Sequence, residues 1–254
     1  MTTNPTTFRQ RVLRGDVLLG AFLNLDSPAA AELCARAGFD WLIVDLEHGA
    51  GNEAGLVPIL TSIEVTPTAA LVRPASGERI RIGRALDLGA TGIMVPRLDT
   101  VDEVRQAVSY LRYPPDGVRG VALLTRGARF GSVPHAKVRS LNDDVLGIIQ
   151  IESAAAVASV AEIAAIDGVD VLFVGPSDLS HSLGIPGQLE HADYLAALDA
   201  VVAAARRAGK SAGILLRQAS DLQRHLKLGF RFVGIGSDAG FVVDAAAAAL
   251  AAPR

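Results

Sequence analysis

Short apolar runs alternate with longer stretches of helical periodicity along almost the whole chain. Eight of these runs have the length and composition of buried strands, and most are followed by about ten or more residues with helical spacing of apolar positions. We predict strands over residues 18–24, 41–47, 69–74, 92–97, 146–152, 171–175, 211–216 and 232–236.

Strands that alternate with helices are typical of βαβ units, in which the strands are parallel. Eight such units favour a closed barrel over an open, doubly wound sheet, and 254 residues is close to the usual size of one barrel. Glycine just after a predicted helix, as at Gly38, Gly168 and Gly229, suits the left-handed cap that ends a helix. The chain is therefore predicted to be α/β, a single (β/α)8 TIM barrel over residues 1–254.

The segment 113–144 departs from this alternation. It contains the turn sequence Pro-Pro-Asp-Gly at 114–117 and basic residues that include Arg119, Arg126 and Arg129. A connection this long inside a compact domain is usually functional. We expect the segment to lie near the mouth of the barrel or at an interface between subunits.

The last predicted helix, residues 239–251, is apolar on nearly every side. It includes five consecutive alanines at 245–249, and its only charged residue is Asp244. A helix of this kind is normally buried all round, whereas an outer barrel helix has one free face. We therefore expect a neighbouring subunit to cover it; the alternative is an alanine-rich surface helix stabilised by its propensity.

The composition restricts the class of protein. The chain is 50% hydrophobic and 20% charged, but no run of about 18 or more apolar residues suggests a membrane span. Residues 1–15 are polar and lack the apolar region of a secretory signal, and Cys34 is the single cysteine. We expect a cytoplasmic protein, and the net charge of −3 gives no reason to expect nucleic acid or a membrane surface as a partner.

Polar side chains follow several predicted strands, at the end where barrel enzymes place their active sites. Glu152 and Asp178 come after consecutive strands, so their carboxylates can reach one point. Two carboxylates, with water and substrate oxygens, suit Mg²⁺ or Mn²⁺. The alternative is that one acid pairs with Arg73 and the other caps the following helix, and position alone does not decide between them.

Three further features stand at predicted strand ends. Of the five histidines, His48 alone does so, where it could act as a general base with Asp45 orienting its ring. Arg73 could hold oxyanion charge, or pair with a neighbouring acid. The turn 175–179 could bind a substrate carboxylate through free backbone N–H groups. Asp87, by contrast, has only the pattern of a solvated residue at a helix end.

Several mechanisms lack the residues they need. A Schiff-base enzyme requires a lysine at the mouth, and none of the three lysines, Lys137, Lys210 and Lys227, ends a predicted strand. Cys34 falls on the first predicted helix after a strand, where a core position is expected, and no G-x-S-x-G sequence is present. Cysteine and serine nucleophiles are therefore not expected.

Six strings in order give the chain a family resemblance. It resembles the HpcH/HpaI aldolases, a family of metal-dependent pyruvate aldolases, from about Arg14 onward. The strings are WLIVDLEHG at 41–49, VRP at 72–74, ALDLGATG at 85–92, YPPDGVRG at 113–120, IQIES at 149–153 and VGPSDLS at 174–180. The sequence departs from the family pattern at 122–125, Ala-Leu-Leu-Thr, which leaves the aldehyde preference open.

The resemblance implies a role for each site residue. Glu152 and Asp178 would bind a divalent metal, Mg²⁺, Mn²⁺ or Co²⁺. Gln150, Ser177 and Asp178 would contact pyruvate, the last two through backbone N–H groups. His48 would be the base, with Asp45 as its partner and Asp87 raising its basicity, and Arg73 would stabilise the enolate. The family also forms hexamers, as trimers of dimers, in which the last helix packs on a neighbour.

The expected activity is metal-dependent cleavage or formation of the C3–C4 bond of a 4-hydroxy-2-oxo acid, giving pyruvate and an aldehyde. The nearest rival is a CoA-ester lyase of the citrate-lyase β or malyl-CoA lyase type, which shares the fold and the metal-binding acids. His48 and Arg73 together with the short chain favour the free-acid aldolase. A rival of another class is a catalytically silent barrel that serves as a binding protein.

Overall fold

The strands form one closed, parallel barrel in the order of the sequence. The computed structural model describes residues 6–251, so 1–5 and 252–254, the two ends of the predicted domain, lie outside it. All eight predicted strands are confirmed, with ends that differ by at most two residues. They are β1 (Leu18–Leu23), β2 (Trp41–Asp45), β3 (Ala69–Arg73), β4 (Gly92–Val95), β5 (Leu146–Ile151), β6 (Val171–Val174), β7 (Ser211–Leu216) and β8 (Phe232–Ser237).

Helices surround the barrel, and several begin at a side-chain cap. Ser27, Ser153 and Ser237 each accept a hydrogen bond from the first turn of the helix that follows, and Thr100 forms a capping box with Glu103. No helix within residues 6–251 has the length and apolar character needed to span a membrane. The helices are α1 (Phe8–Leu13), α2 (Pro28–Arg36), α3 (Leu56–Ile63), α4 (Arg79–Asp87), α5 (Val101–Leu111), α6 (Ala154–Ala158), α7 (Val160–Ala164), α8 (Pro176–Ser182), α9 (Ala192–Arg207), α10 (Leu222–Leu228) and α11 (Asp238–Leu250).

Aromatic side chains fill the inside of the barrel. The rings of Trp41 and Phe232 stack with centroids 4.4 Å apart, and Phe173 meets Phe232 edge-on at 6.3 Å. Gly20, level with Trp41 in the β1–β2 register, has no room for a side chain, because a Cβ there would lie 2.0 Å from the indole. The interior is thus a packed core that leaves only the ends of the barrel for chemistry.

The segment 113–144 lies at the amino-terminal face of the barrel, so the expected position near the mouth is wrong. It joins the end of α5 to the start of β5, and such a connection must run past the amino ends of the strands. The guanidinium of Arg112, just before the segment, donates to the carbonyls of Asn142 and Val145, at its carboxyl end, at 2.7 and 2.8 Å. An interface role for the segment remains a prediction.

Asp170, just before β6, is the buried charge of this amino-terminal face. It is 0% exposed. Its carboxylate accepts two hydrogen bonds from Arg9 and one from the backbone N–H of Gly147, all at 2.9 Å, and Nη2 of Arg112 lies 3.9 Å away. The charge is therefore fully matched by neighbouring donors.

The last helix, α11, carries an apolar surface that no described residue covers. Val242, Val243 and Leu250 are 60%, 65% and 77% exposed. The helix was predicted from the sequence, but its coverage by a neighbouring subunit remains a prediction.

Candidate active site

Asp45 ends β2 level with Arg73 in β3, and the two form a buried ion pair. Oδ1 of Asp45 accepts hydrogen bonds from Nε of Arg73 at 2.9 Å and from the backbone N–H groups of Glu47 and His48 at 3.0 and 3.2 Å. Oδ2 accepts from Nη2 of Arg73 and from Nδ2 of Asn24, both at 2.7 Å. Burial raises the pKa of Asp45, but the hydrogen bonds and charge of Arg73 outweigh it, and the pKa lies below its ordinary value.

These contacts do not join Asp45 to the His48 ring, and its role as the partner of the base stays a prediction. Its oxygens are occupied by Arg73, Asn24 and backbone N–H groups, so it fixes the main chain of His48 and leaves the imidazole free. The His48 side chain is 65% exposed, and its Nε2 lies 3.8 Å from Oε2 of Glu47. The imidazole is therefore placed at the mouth with room for a substrate or water beside it.

Arg73 bridges three groups at the mouth. Besides Asp45, its Nη1 lies 3.2 Å from Oε2 of Glu47 and 3.4 Å from Oε1 of Gln150, which accepts a hydrogen bond. The guanidinium also lies over the Phe22 ring, 5.1 Å from its centroid. Packed in this way, Arg73 presents a fixed positive charge.

Glu152 is the buried acid at the end of β5. The residue is 7% exposed; its Oε1 accepts the backbone N–H of Arg97, and its Oε2 accepts Nε2 of Gln150, both at 2.8 Å. Burial raises the pKa of Glu152, the Arg97 N–H lowers it, and the charges of Glu47 and Asp178 raise it further, with a net upward shift. The pKa of Glu47 is also raised, first by burial and then by the charges of Asp45 and Asp178, against the lowering effect of Arg73 and His48.

Ser177 and Asp178 lie in the first turn of α8, beyond the end of β6. Both are exposed, and neither their backbone N–H groups nor the Asp178 side chain has a hydrogen-bond partner among residues 6–251. Gly175, just before this turn, leaves space for Glu152, since a Cβ there would lie 2.9 Å from its Oε2. The free N–H groups thus face a position suited to an anion.

The alternative considered for the two acids is not found in the described part of the chain. Arg73 pairs with Asp45 and Glu47 and not with Glu152 or Asp178. The side chain of Asp178 does not cap α8. Glu152 and Asp178 are therefore left without a matching cation.

The donor set fits the divalent metal that the resemblance implies. Residues 6–251 contain no group of three or more His, Cys, Asp or Glu side chains placed to hold a metal ion. Two carboxylates are nevertheless sufficient for Mg²⁺, which commonly keeps waters and substrate oxygens as its other ligands. Burial is the main cause of the raised pKa of Glu152, and the charges of Glu47 and Asp178 add to it, so a bound cation would favour the ionised carboxylate.

Asp87 is not brought together with His48. It ends α4, and its Oδ1 accepts a hydrogen bond from Nη2 of the buried Arg119 at 3.0 Å. Arg119 belongs to the segment at the amino-terminal face. Within one chain, Asp87 is therefore part of a structural ion pair, and an effect on His48 would require a second copy.

Two residues of the site were not singled out from the sequence. Glu47 carries a raised pKa and a contact with Arg73, and Arg97 donates its backbone N–H to Glu152. Glu47 had a usable signal, because it lies two residues beyond Asp45 and an extended chain points such residues to the same side. Arg97 had no such signal, because it contributes a backbone N–H, which nearly every residue type has.

The arrangement can stabilise an anion and move a proton. Glu152 and Asp178 can bind a hard cation, Arg73 and the free N–H groups of α8 can bind oxygen anions, and His48 can exchange a proton at the open mouth. The combination suits chemistry on a carboxylate-bearing substrate that passes through an enolate.

A family model and a curated relative match almost the whole chain. The model of the HpcH/HpaI aldolase/citrate lyase family matches residues 18–245. The chain is 39% identical over 236 residues to the 5-keto-4-deoxy-D-glucarate aldolase of Klebsiella pneumoniae, covering 93% of this chain and 92% of the relative.

Solved structures with the same fold cover nearly the whole chain. A family member from Burkholderia cenocepacia J2315 superposes with a TM-score of 0.91 at 37% identity, covering 95% of this chain and 96% of the other. The citrate synthase SbnG superposes with a TM-score of 0.87 at 27% identity, covering 97% and 96%. The chain therefore belongs to the HpcH/HpaI aldolase/citrate lyase family of carbon–carbon lyases.

Proposed function

We propose that the protein is a metal-dependent aldolase that cleaves or forms the C3–C4 bond of 4-hydroxy-2-oxo acids, with pyruvate as one product. The observation that supports this most is the cluster of carboxylates at the mouth: Glu152 is buried beside the charges of Glu47 and Asp178, while the nearby cation, Arg73, is paired with Asp45 and Glu47. A divalent ion bound by Glu152 and Asp178 would balance that charge and draw electrons from a 2-oxo group.

Each residue of the site would have a defined task in cleavage. The N–H groups of Ser177 and Asp178 bind the substrate carboxylate, and Gln150 orients the 2-oxo end. His48 takes the proton of the 4-hydroxyl group, directly or through a water, and the C3–C4 bond breaks as the aldehyde forms. The electron pair of that bond passes to the pyruvate enolate, whose oxygen Arg73 stabilises until C3 is protonated.

The substrate that we favour is a 2-oxo sugar acid with a carboxylate at each end. The curated relative from K. pneumoniae is named for 5-keto-4-deoxy-D-glucarate, and a glucarate derivative is a dicarboxylate. Numbered from its oxo end, that compound is a 4-hydroxy-2-oxo acid, which matches the proposed chemistry. Cleavage would give pyruvate and a carboxylated aldehyde.

Incubation with pyruvate and an aldehyde tests the proposal. We expect product only when Mg²⁺, Mn²⁺ or Co²⁺ is added, and loss of activity with EDTA. Activity that survives EDTA would remove the metal role, and turnover that requires a CoA ester would favour the lyase alternative instead. Absence of any turnover, together with no metal-dependent rise in Tm, would favour a binding protein.

We also propose that the protein is a homo-oligomer, a hexamer, held in part by α11. The exposed side chains of Val242, Val243 and Leu250 would be buried against a neighbour. Light scattering after size exclusion should show a smaller species for Val243→Lys, with Asp244→Lys as a control on the charge. An unchanged mass would exclude α11 from the interface.

In such an oligomer, Asp87 is proposed to act on His48 of a neighbouring subunit. Mixing two inactive variants, Asp87→Ala and His48→Ala, tests this, because a mixed oligomer would contain sites with both residues intact. Recovered activity supports the arrangement, whereas no recovery after confirmed subunit exchange contradicts it.

A further inference from the structure

Glu47 lies at the mouth between the buried arginine and the histidine of the site. Its Oε2 is 3.2 Å from Nη1 of Arg73 and 3.8 Å from Nε2 of His48. The Glu47 side chain is only 11% exposed, whereas the imidazole is open to the mouth. One carboxylate oxygen thus faces both the group proposed to take a proton and the group proposed to stabilise the enolate.

The main chain and Arg73 hold Glu47 in this place. Oδ1 of Asp45 accepts the backbone N–H groups of both Glu47 and His48. Arg73 is itself held by two hydrogen bonds to Asp45, so it offers the Glu47 carboxylate a fixed partner. The turn after β2 therefore presents two consecutive side chains, an acid and a base, from one ordered backbone.

Two other roles for Glu47 have less support. Within residues 6–251, it does not join Glu152 and Asp178 in a three-acid group placed to hold a metal ion. Arg73 does not depend on it for a partner either, because Asp45 already accepts two hydrogen bonds from the guanidinium. In the described part of the chain, however, no other acid lies within ion-pair distance of the His48 ring. The contact with the ring is therefore the one that Glu47 alone makes.

The charges around Glu47 favour a further cation beside it. Burial raises the pKa of its carboxyl group, Arg73 and His48 lower it, the neighbouring acids raise it, and the pKa lies above its ordinary value. The charged groups that act on Glu47 from other elements of the barrel are Asp45 at the end of β2, Arg73 in β3, Glu152 after β5 and Asp178 in α8. Because three of these four are acids, a proton on the His48 ring would improve the balance of charge.

We propose that Glu47 is the positioning residue of the base: its carboxylate orients the His48 ring and stabilises the imidazolium that forms during cleavage. The proposal rests on the proposed aldolase function, in which His48 takes the proton of the 4-hydroxyl group. The ring gains one proton and one positive charge, and it returns to its neutral form when the proton passes to C3 of the enolate, directly or through a water. A distance of 3.8 Å is longer than a hydrogen bond, but contacts of this kind commonly tighten only when the substrate is bound.

The first measurement is a titration of the metal-free protein, which needs no turnover. The imidazole C–H signals are followed by NMR against pH, and the His48 signal is identified by its absence from His48→Ala. The test variant is Glu47→Gln, which keeps the size of the side chain and removes its charge. The matched control is Glu53→Gln, because Glu53 lies in the same loop but pairs with Arg81.

For Glu47→Gln we expect the titration midpoint of the His48 ring to fall by about 0.2 to 0.7 of a pH unit, the range for a partly exposed ion pair. The midpoint falls because the wild-type carboxylate favours the charged ring. Glu53→Gln should leave the midpoint unchanged, and Glu47→Asp, which keeps the charge, should recover most of the shift.

The second measurement is the pH profile of kcat/KM in the addition of pyruvate to an aldehyde, with Mg²⁺ present. In Glu47→Gln, the midpoint of the acid limb should move to lower pH by the same amount as in the titration, because this limb reports the base of the free enzyme. The plateau should fall about 10-fold, since the ring is a weaker base and less well oriented. A role confined to Arg73 would lower the rate equally at every pH and would not move the midpoint.

Three results would overturn the proposal. An unchanged midpoint in Glu47→Gln would mean that Glu47 serves only Arg73. An equal shift in Glu53→Gln would reflect the charge of the loop and not the contact, and a shift in Asp45→Asn but not in Glu47→Gln would make Asp45 the partner. A wild-type enzyme without turnover, with or without metal, would instead overturn the proposed function, while the NMR midpoints would still decide whether Glu47 pairs with the ring.

Discussion

Asp170 at the amino-terminal face and Glu152 at the mouth are both buried carboxylates, but their surroundings differ. Asp170 accepts two hydrogen bonds from Arg9 and one from a backbone N–H, with Arg112 close by. Glu152 accepts one backbone N–H and one side-chain amide, and its pKa is raised by burial and by the carboxylates of Glu47 and Asp178.

The difference separates charges that hold the fold from charges that serve chemistry. A buried carboxylate surrounded by cations and N–H donors is electrically satisfied and has nothing to offer a ligand. A buried carboxylate beside other carboxylates is unfavourable in its ionised form, and a proton or a bound cation relieves that cost. On this reasoning, changes at Glu152 should affect activity, and changes at Asp170 should affect stability.

The largest expected effect is that of Glu152→Gln on turnover. Lewis-acid stabilisation is worth several kcal/mol, so kcat/KM in the pyruvate addition should fall at least about a thousandfold. The metal-free protein should keep or raise its Tm, because the variant removes a carboxylate with a raised pKa. Full activity in this variant would contradict the ligand assignment, and a large fall in Tm would contradict the comparison.

Asp170→Ala should have the opposite effect, a loss of stability with turnover kept. It leaves Arg9 and Arg112 without their common acid, and breaking a buried pair typically costs about 3–5 kcal/mol of unfolding free energy. Urea denaturation measures the loss, and turnover per folded molecule should stay close to that of the wild type. A selective loss of turnover without destabilisation would show that the amino-terminal face takes part in the reaction.

The Asp45–Arg73 pair lies at the mouth, but its charges are matched, as those around Asp170 are. We therefore expect it to contribute to stability, and the pH dependence of unfolding tests this. The folded-state pKa of Asp45 lies below its ordinary value. The pair therefore stabilises the fold above about pH 4 and loses this contribution as the pH falls further. Asp45→Asn should reduce the slope of unfolding free energy against pH below about pH 4, by at most about 1.4 kcal/mol per pH unit for one proton. Parallel acid limbs for the two proteins would contradict the assignment.

The smallest expected effect on stability is that of an exposed ion pair. Arg139 binds Asp116 through two hydrogen bonds of 2.8 Å, but the side chains are 63% and 37% exposed. Such pairs are screened by solvent, so Arg139→Ala should leave Tm unchanged within error. A clear fall in Tm would mean that burial is not what distinguishes the stabilising charges.

The barrel and the outline of the site were readable from the sequence, because both depend on local order. Period-two and helical patterns fix the strands, and residues that directly follow parallel strands meet at one face. This was enough to bring Glu152, Asp178, His48 and Arg73 to the mouth.

The partners within the site were not readable in the same way. Several acids stand at or just beyond the ends of predicted strands, and the β2–β3 register, which sets Asp45 opposite Arg73, decides which of them forms the buried pair. The left-handed backbone of Arg97 depends on its surroundings. Segment 113–144 joins the end of a helix to the start of a strand, so its place at the amino-terminal face could have been predicted from connectivity alone. The expected position near the mouth did not take this into account.

Gly175 offers a criterion for comparing barrels of this kind. An acid at the position of Glu152 could persist for structural reasons in a barrel that has lost its chemistry. A glycine at position 175 has a narrower purpose, because a Cβ there would come within 2.9 Å of Oε2 of Glu152 and within 3.5 Å of Nε2 of Gln150. Replacement of that glycine would therefore require the Glu152 carboxyl group to move, and with it one of the two proposed metal ligands.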